Sequence, residues 1–141
     1  MILPDVNVLL YAFRKDSADH GRYRDWLGGV VNGDEAYGMS PQVLCSVARI
    51  ATHPRIYASP SRLDEALAFA RVLLEQPHCT VVQPGRRHFS IFEGLCRKAR
   101  ASGNLVQDAW FAALAVESGC EWVTTDGDFA RFPSLRWRRP F

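Results

Sequence analysis

Four aspartates occur where this chain could build a metal site. Asp5 follows a short apolar segment at the start, Asp126 and Asp128 follow the apolar run 122–125, and Asp108 lies within the apolar stretch NLVQDAWFAALAV. Two carboxylates about 4 Å apart repel each other by about 4 kcal/mol at an effective dielectric constant of about 20. A cluster of carboxylates therefore needs protons or a cation, and ligands that are all oxygen favour Mg²⁺ or Mn²⁺ over zinc.

Each of these acids also has an ordinary structural explanation. Asp5 could cap the helix that follows it, and Asp126 and Asp128 could be turn residues of the D-G-D segment. Asp108 could interact with the N-terminus of its own helix or form a buried ion pair. The combination favours a metal site, because three separate parts of the chain would each place an acid at the carboxyl ends of strands, where parallel sheets bind ligands.

The elements that would position the acids alternate between strand and helix. Apolar runs and turn residues predict strands at 1–3, 36–39, 79–82 and 122–125 and helices at 5–13, 19–27, 41–51, 61–74, 89–101 and 104–118. Ser17 or Asp19 would cap the second helix, Gly28-Gly29 would follow its end, and Asn104 with Gln107 would form a capping box on a largely buried last helix. This order is typical of a three-layer α/β/α fold with a mostly parallel central sheet, which binds ligands at the carboxyl ends of its strands.

Length and composition are typical of one globular domain spanning residues 1–141. Hydrophobic residues make up 48% and charged residues 23% of the chain, which argues against disorder. No apolar run reaches the about 20 residues of a membrane span, and the first residues lack the basic segment of a secretory signal. The four cysteines form no C-x-x-C pair, as expected for reduced thiols in a cytoplasmic protein rather than a zinc ribbon.

Charge is unevenly distributed along the chain, although the net charge is only +2. Segment 84–100 contains five bases and one acid, and segment 131–141 contains four arginines and no acidic side chain. A basic rim beside an acidic centre would suit a phosphodiester substrate, since the rim attracts phosphate and the centre holds a metal. Alternatively, these charges only solvate helix faces. The candidate nucleic-acid contacts are Arg86, Arg87, Arg97 and Lys98.

The acids occur in segments that resemble a known family. The opening MILPDVNVLLYAF, the middle SVARIATHPRI, the segment GNLVQDAWFAALAVESG and the ending VTTDGDFARFPSLRW together resemble PIN-domain ribonucleases, in particular the VapC-type toxins of bacterial toxin–antitoxin modules. The resemblance spans nearly the whole chain. It implies a small three-layer α/β fold, Mg²⁺- or Mn²⁺-dependent cleavage of cellular RNA such as tRNA or rRNA, frequent homodimers, and inhibition by a cognate VapB-type antitoxin.

The resemblance also implies roles for individual residues. Asp5, Asp108 and Asp126 match the family's catalytic, metal-binding acids, and Asp128 matches its accessory acid. The polar residues that match its supporting positions are Asn7 and Thr124. We expect hydrolysis by a metal-activated water, with no protein nucleophile. An arginine of the antitoxin is expected to approach the acids by charge complementarity.

One position departs from the family pattern. The family usually has a glutamate in the helix after the second strand, three residues before an arginine, and counting back from Arg49 gives Ser46. Ser46 could still hold a metal-bound water, so its presence puts the binding of two metals in doubt more than activity. It also leaves an alternative, a catalytically degenerate PIN domain that binds RNA or a protein partner without cleaving it.

Overall fold

The computed structural model describes residues 1–141 as five strands, six α-helices and one 3₁₀-helix. The strands are β1 (Ile2–Pro4), β2 (Tyr37–Met39), β3 (Cys79–Val81), β4 (Glu121–Val123) and β5 (Trp137–Arg138). The helices are α1 (Val6–Phe13), α2 (His20–Val31), α3 (Pro41–Ala51), α4 (Leu63–Leu74), α5 (His88–Ala99) and α6 (Asn104–Ser118), and the 3₁₀-helix spans Gly127–Arg131. None of these helices combines the length and the hydropathy that crossing a bilayer requires.

All strand pairings are parallel, as predicted. β4 pairs with β1 on one side and with β5 on the other, while β2 pairs with β3. β2 lies beside β1, and Gly38 permits this close approach, because a Cβ atom there would lie 3.1 Å from the carbonyl oxygen of Ile2. The helices cover this parallel layer, which confirms the predicted α/β/α fold.

The adjacency of β1 and β4 decides where the acids emerge. Both strands run in the same direction, with Pro4 paired to Val123. The backbone N–H of Asp5 donates to the carbonyl oxygen of Val123 at 2.9 Å. The residues that follow the two strands therefore leave the sheet at the same end, side by side, although they are far apart in the chain.

Aromatic packing under this end of the sheet anchors the segment that follows β4. Trp122 is fully buried, and its ring centroid lies 5.7 Å from that of Phe111 on α6 and 5.5 Å from that of Phe129 in the 3₁₀-helix. Burying a large apolar side chain contributes about 2 to 3 kcal/mol. The loop that carries Asp126 and Asp128 is thus held between a strand and a helix that are both packed into the core.

The predicted end of the second helix is wrong, and so is the predicted side-chain cap at its start. Gly28 and Gly29 lie inside α2, which continues to Val31 because Leu27 and Val31 share its buried face. Asp19 precedes α2 in the left-handed region, with φ of 55°, and no side chain caps this helix. Burial of an apolar face therefore outweighed the local turn signal of the glycine pair.

The predicted capping box of α6 is also wrong. Gly103, with φ of 59°, occupies the N-cap position, and no side chain caps the helix. The side chains of Asn104 and Gln107 are exposed instead, and Asp108 is half-buried rather than enclosed. The first turn of α6 therefore presents Asn104 and Gln107 outward, while Leu105 is buried and most apolar residues from Ala109 onward are buried as well.

Candidate active site

A cleft of about 670 Å³ opens at the carboxyl ends of β1 and β4, between α3 and α6. Its walls carry the four aspartates singled out from the sequence, together with Asn7 and Ser46. The aspartates that line it are Asp5, Asp108, Asp126 and Asp128. The tertiary structure thus brings together acids from the N-terminal segment, from α6 and from the loop after β4.

Three of the acids are close enough to share one cation. One carboxylate oxygen from each of Asp108, Asp126 and Asp128 lies within 4.8 Å of the others. None of these acids belongs to any of the five ion pairs of the structure, so no arginine or lysine neutralises them. The buried ion pair considered for Asp108 is therefore absent.

Asp5 lies deeper, beside this cluster, and is 6% exposed. Its Oδ1 accepts a hydrogen bond from the backbone N–H of Val6 at 2.6 Å, so it does cap α1. Its Oδ2 accepts from Thr124 Oγ1 at 2.5 Å and from Asn7 Nδ2 at 3.1 Å. Asp5 can both cap α1 and belong to the cleft, because Oδ1 accepts from the helix backbone and Oδ2 accepts from the polar residues of the site.

The surroundings of Asp5 and Asp108 oppose their ionisation. The pKa of Asp5 is raised to about 7, chiefly by burial and also by the charges of Asp108 and Asp126, against the hydrogen bonds from Thr124 and Val6. Burial raises the pKa of Asp108 to about 6, with contributions from the charges of Asp126 and Asp128. Near neutral pH this arrangement must hold protons or a cation. Oxygen donors of this charge fit a hard divalent ion such as Mg²⁺ or Mn²⁺.

Thr124 connects the acids that follow β1 and β4 through its buried hydroxyl group. Its Oγ1 donates to Asp5 and accepts from Asn7 Nδ2 at 3.2 Å and from the backbone N–H of Asp126 at 3.0 Å. Asn7 Oδ1 in turn accepts from the backbone N–H of Thr125 at 3.3 Å. The two sequence-predicted supporting residues therefore tie the start of α1 to the loop that carries Asp126.

Replacing Thr124 by valine is expected to lower the free energy of unfolding by about 1 to 3 kcal/mol, because Asp5, Asn7 and Asp126 each lose a hydrogen-bond partner in a buried place. Urea unfolding measures the change. Thr125→Val is the matched control, since the Thr125 side chain makes no hydrogen bond within the chain. If the two variants lose the same stability, the hydroxyl network of Thr124 has no special role.

Helix α3 forms the opposite wall of the cleft, and its start follows the predicted pattern. Ser40 Oγ accepts from the backbone N–H of Val43 at 3.4 Å, and Pro41 occupies the first turn. Ser46 and Arg49 both line the cleft from this helix. Arg49 is exposed and unpaired, and it served in the sequence only as a landmark for Ser46. The signal that could have found it is the three-residue spacing, which puts both side chains on one helix face.

The four bases predicted to contact nucleic acid do not line the cleft. Arg97 is exposed and pairs with Glu93 at 3.2 Å, one turn away on α5. The cleft is lined instead by neutral side chains that sequence reasoning passed over or assigned to capping. They include Tyr11, Gln42, Asn104 and Gln107. Gln42, Asn104 and Gln107 lie on the first turns of α3 and α6, and their position at one cleft emerges only from the packing of the helices.

The chain is similar in sequence to proteins of one family over nearly its whole length. Residues 2–135 match the PIN domain. Ribonuclease VapC31 of Mycobacterium tuberculosis is 42% identical over 140 residues, which cover 99% of this chain and 99% of that protein. VapC ribonuclease Mb2897 of Mycobacterium bovis is 39% identical over 140 residues, which cover 99% of this chain and 95% of that protein.

Solved structures with the same fold are more distant in sequence. The structure of VapBC2 from Rickettsia felis bound to a DNA fragment from their promoter aligns with a TM-score of 0.72 at 17% identity, covering 99% of this chain and 98% of that chain. The structure of VapC20 from Mycobacterium tuberculosis, described as a sarcin-ricin loop cleaving toxin, aligns with a TM-score of 0.65 at 20% identity, covering 96% of this chain and 99% of that chain.

Proposed function

Because the chain belongs to the VapC ribonucleases of the PIN-domain family, we propose that it is a metal-dependent endoribonuclease that hydrolyses structured cellular RNA. The observation that carries this proposal is the convergence of four carboxylates, none of them paired with a base, in one open cleft. A cleft of this charge repels a phosphodiester unless a cation is bound, so the site and its substrate need the same ion.

Each residue of the site has a role in the proposed reaction. Asp5, Asp108 and Asp126 would hold a Mg²⁺ or Mn²⁺ ion, and Asp128 lies close enough to Asp108 and Asp126 to share it. The ion would supply Lewis-acid stabilisation of the phosphate and a water of lowered pKa. Asp128 is exposed at the mouth of the cleft and orients the attacking water. Thr124 holds the carboxylate of Asp5 in position.

Helix α3 completes the proposed site on the substrate side. Arg49 binds a phosphate of the RNA, since its guanidinium group is free to make two parallel hydrogen bonds to phosphate oxygens. Ser46 stands where the family usually has a glutamate, and its hydroxyl group holds a water in the cleft. The four bases predicted from the sequence remain candidates for contacts to the RNA backbone beyond the cleft. They are Arg86, Arg87, Arg97 and Lys98.

Transfer RNA or ribosomal RNA is the proposed substrate class. An unpaired loop can unstack a nucleotide and bring its phosphate into a cleft, whereas an A-form duplex cannot without disruption. One solved relative, VapC20, is described as cleaving the sarcin-ricin loop. The cytoplasm, where these RNAs occur, is the proposed location.

A cognate VapB-type antitoxin is the proposed inhibitor. Several solved structures of similar fold are VapBC complexes. An apolar groove of about 780 Å³ between α3 and α4 meets the acidic cleft at Cys45 and Arg49, and it exposes Leu63 and Leu67. We propose that an antitoxin segment covers this groove and places an arginine near the acids, and that the toxin is a homodimer.

A second candidate function is favoured by Ser46. With no carboxylate at that position, the domain could have lost turnover and kept binding to RNA or to a protein partner. Incubating the purified chain with total RNA, and sequencing the new 5′ ends, separates the two candidates. We expect cleavage with Mg²⁺ or Mn²⁺ and none in EDTA. Full-rate cleavage in EDTA contradicts the proposed mechanism, and RNA binding without cleavage at every Mn²⁺ concentration supports the second candidate.

A further inference from the structure

One side chain on the wall of the cleft is held in a defined orientation. Trp110 Nε1 on α6 donates a hydrogen bond to Gln42 Oε1 on α3 at 2.5 Å. An indole N–H can only donate, so the atom that faces it must be the amide oxygen. The amide nitrogen of Gln42 makes no hydrogen bond within the chain, and the residue lines the acidic cleft. Both amide N–H groups of Gln42 are therefore free to donate to a ligand, while its amide oxygen is engaged by Trp110.

Trp110 is itself held in place, so this orientation is set before any ligand binds. Its ring centroid lies 4.1 Å from that of His88 and 5.3 Å from that of Phe92, both on α5, with edge-to-face geometry. His88 is buried, and its Nε2 donates to the carbonyl oxygen of Trp110 at 3.0 Å. Aromatic pairs of this kind add about 0.5 to 1.5 kcal/mol each beyond their buried area.

We propose that Gln42 selects the base beside the cleaved bond through its two free N–H donors, and so favours guanine and uracil over adenine and cytosine. Guanine O6 and uracil O4 accept a hydrogen bond, whereas adenine and cytosine carry at the equivalent ring positions an amino group, N6 or N4, which donates one and meets the Gln42 donors unfavourably. Asn104 and Gln107, on the facing wall, have no such partner to fix which end of the amide faces the cleft. The inference rests on the proposed RNA cleavage and names the bases that this site accepts.

A base, rather than a phosphate, is the partner that suits Gln42. The cleft already has a cationic group for phosphate, Arg49, on the same helix. A neutral amide attracts phosphate weakly, and its directional hydrogen bonds discriminate between base edges. A contact to phosphate would depend on no base, so the two assignments give different results in the same experiment.

The test uses a pool of single-stranded RNA with randomised sequence, cleaved in Mg²⁺ or Mn²⁺ and sequenced at both new ends. For the wild type we expect guanine and uracil to exceed adenine and cytosine by about fivefold at one position next to the cut, since one hydrogen bond contributes about 1 kcal/mol. Gln42→Glu keeps an oxygen for Trp110 but presents a second oxygen to the cleft. Its preference at that position is expected to invert toward adenine and cytosine.

Two further variants control for charge and for positioning. Gln107→Glu adds the same negative charge to the facing wall and should leave the base ratio of the wild type unchanged, whatever its effect on rate. Trp110→Phe keeps a ring against His88 and Phe92 but removes the donor that orients Gln42. With it we expect the ratio to fall toward one although Gln42 is still present.

The outcomes separate this inference from the proposed function. An identical base ratio in the wild type and in Gln42→Glu overturns the inference, and so does Gln42→Ala if it slows cleavage at all four bases equally. If the wild type cuts no strand of the pool, the proposed function fails. The bases enriched in RNA retained on immobilised protein then still report the preference, so the role of Gln42 is decided in that case as well.

Discussion

Replacing Asp108 by asparagine is expected to abolish RNA cleavage and, at the same time, to stabilise the metal-free protein. Loss of a group that only supports a metal ligand costs about 10- to 100-fold, so loss of a ligand should cost at least about 100-fold in rate. Stability changes in the opposite direction because burial and the charges of Asp126 and Asp128 hold the pKa of Asp108 at about 6. Asparagine carries no charge, and after allowance for solvent screening we expect a gain of about 1 kcal/mol, or about 4 °C in melting temperature above about pH 7 in EDTA.

Two measurements check this prediction, a cleavage assay in Mn²⁺ and a thermal melt in EDTA. Asp34→Asn is the matched control, because Asp34 is exposed and lies outside the cleft. It should change neither quantity. Retained cleavage in Asp108→Asn contradicts the assignment of this residue as a metal ligand, and a lower melting temperature contradicts the electrostatic account of the cluster.

Mg²⁺ is expected to stabilise the protein much more near pH 8 than near pH 5. The pKa of Asp5 is raised from 3.8 to about 7 in the folded chain. Between these values the folded state binds more protons than the unfolded state, so stability without metal decreases as the pH rises from about 4 to about 7. A rise of about three pKa units corresponds to about 4 kcal/mol. A bound cation favours the ionised carboxylates and offsets that loss.

Thermal melts with Mg²⁺ and with EDTA at the two pH values measure the difference. NaCl at matched ionic strength controls for general screening, which acts on exposed charges and should give a small shift at both pH values. In Asp5→Asn the pH dependence of stability in EDTA should become shallower, since asparagine does not titrate. An equal effect of Mg²⁺ at pH 5 and at pH 8 would show that the cleft does not bind the ion through these carboxylates.

Much of the site could be predicted because its acids lie next to elements with strong local signals. Asp5 follows β1, and Asp126 and Asp128 follow β4, and short apolar runs of this kind are recognisable in the sequence. In a parallel sheet, adjacent strands release their following residues at the same end, so proximity follows from topology. The helix start at Ser40-Pro41 was equally clear, because the cap and the proline act within one turn.

The bases and amides of the cleft could not be predicted in the same way. Local clustering of charge selected Arg86, Arg87, Arg97 and Lys98, and these lie outside the cleft. Arg49 has no charged cluster around it in the sequence, and it lines the site only because one face of α3 does. Clustering along the chain reflects only local charge, whereas the residues that line a cleft come from elements that are far apart in the sequence.

Capping was the other point of failure. Asn104 and Gln107 have the spacing of a capping box, yet Gly103 begins α6 and both amides are exposed toward the cleft. A side chain that can cap a helix can also point into solvent, and the free energies of the two orientations differ by only about 1 kcal/mol. Tertiary packing can therefore decide between the two orientations, and no local pattern distinguishes them.

By itself, the order of residues determined the succession of β1 to β4 and of the six helices, the parallel sheet and the four acids at its end, because these follow from apolar periodicity. Only the tertiary structure decided that Thr124 holds Asp5, that Trp110 orients Gln42, and which bases face the acids. Each of these contacts joins elements tens of residues apart. Their geometry depends on how whole helices pack on the sheet, and that packing is a property of the complete core.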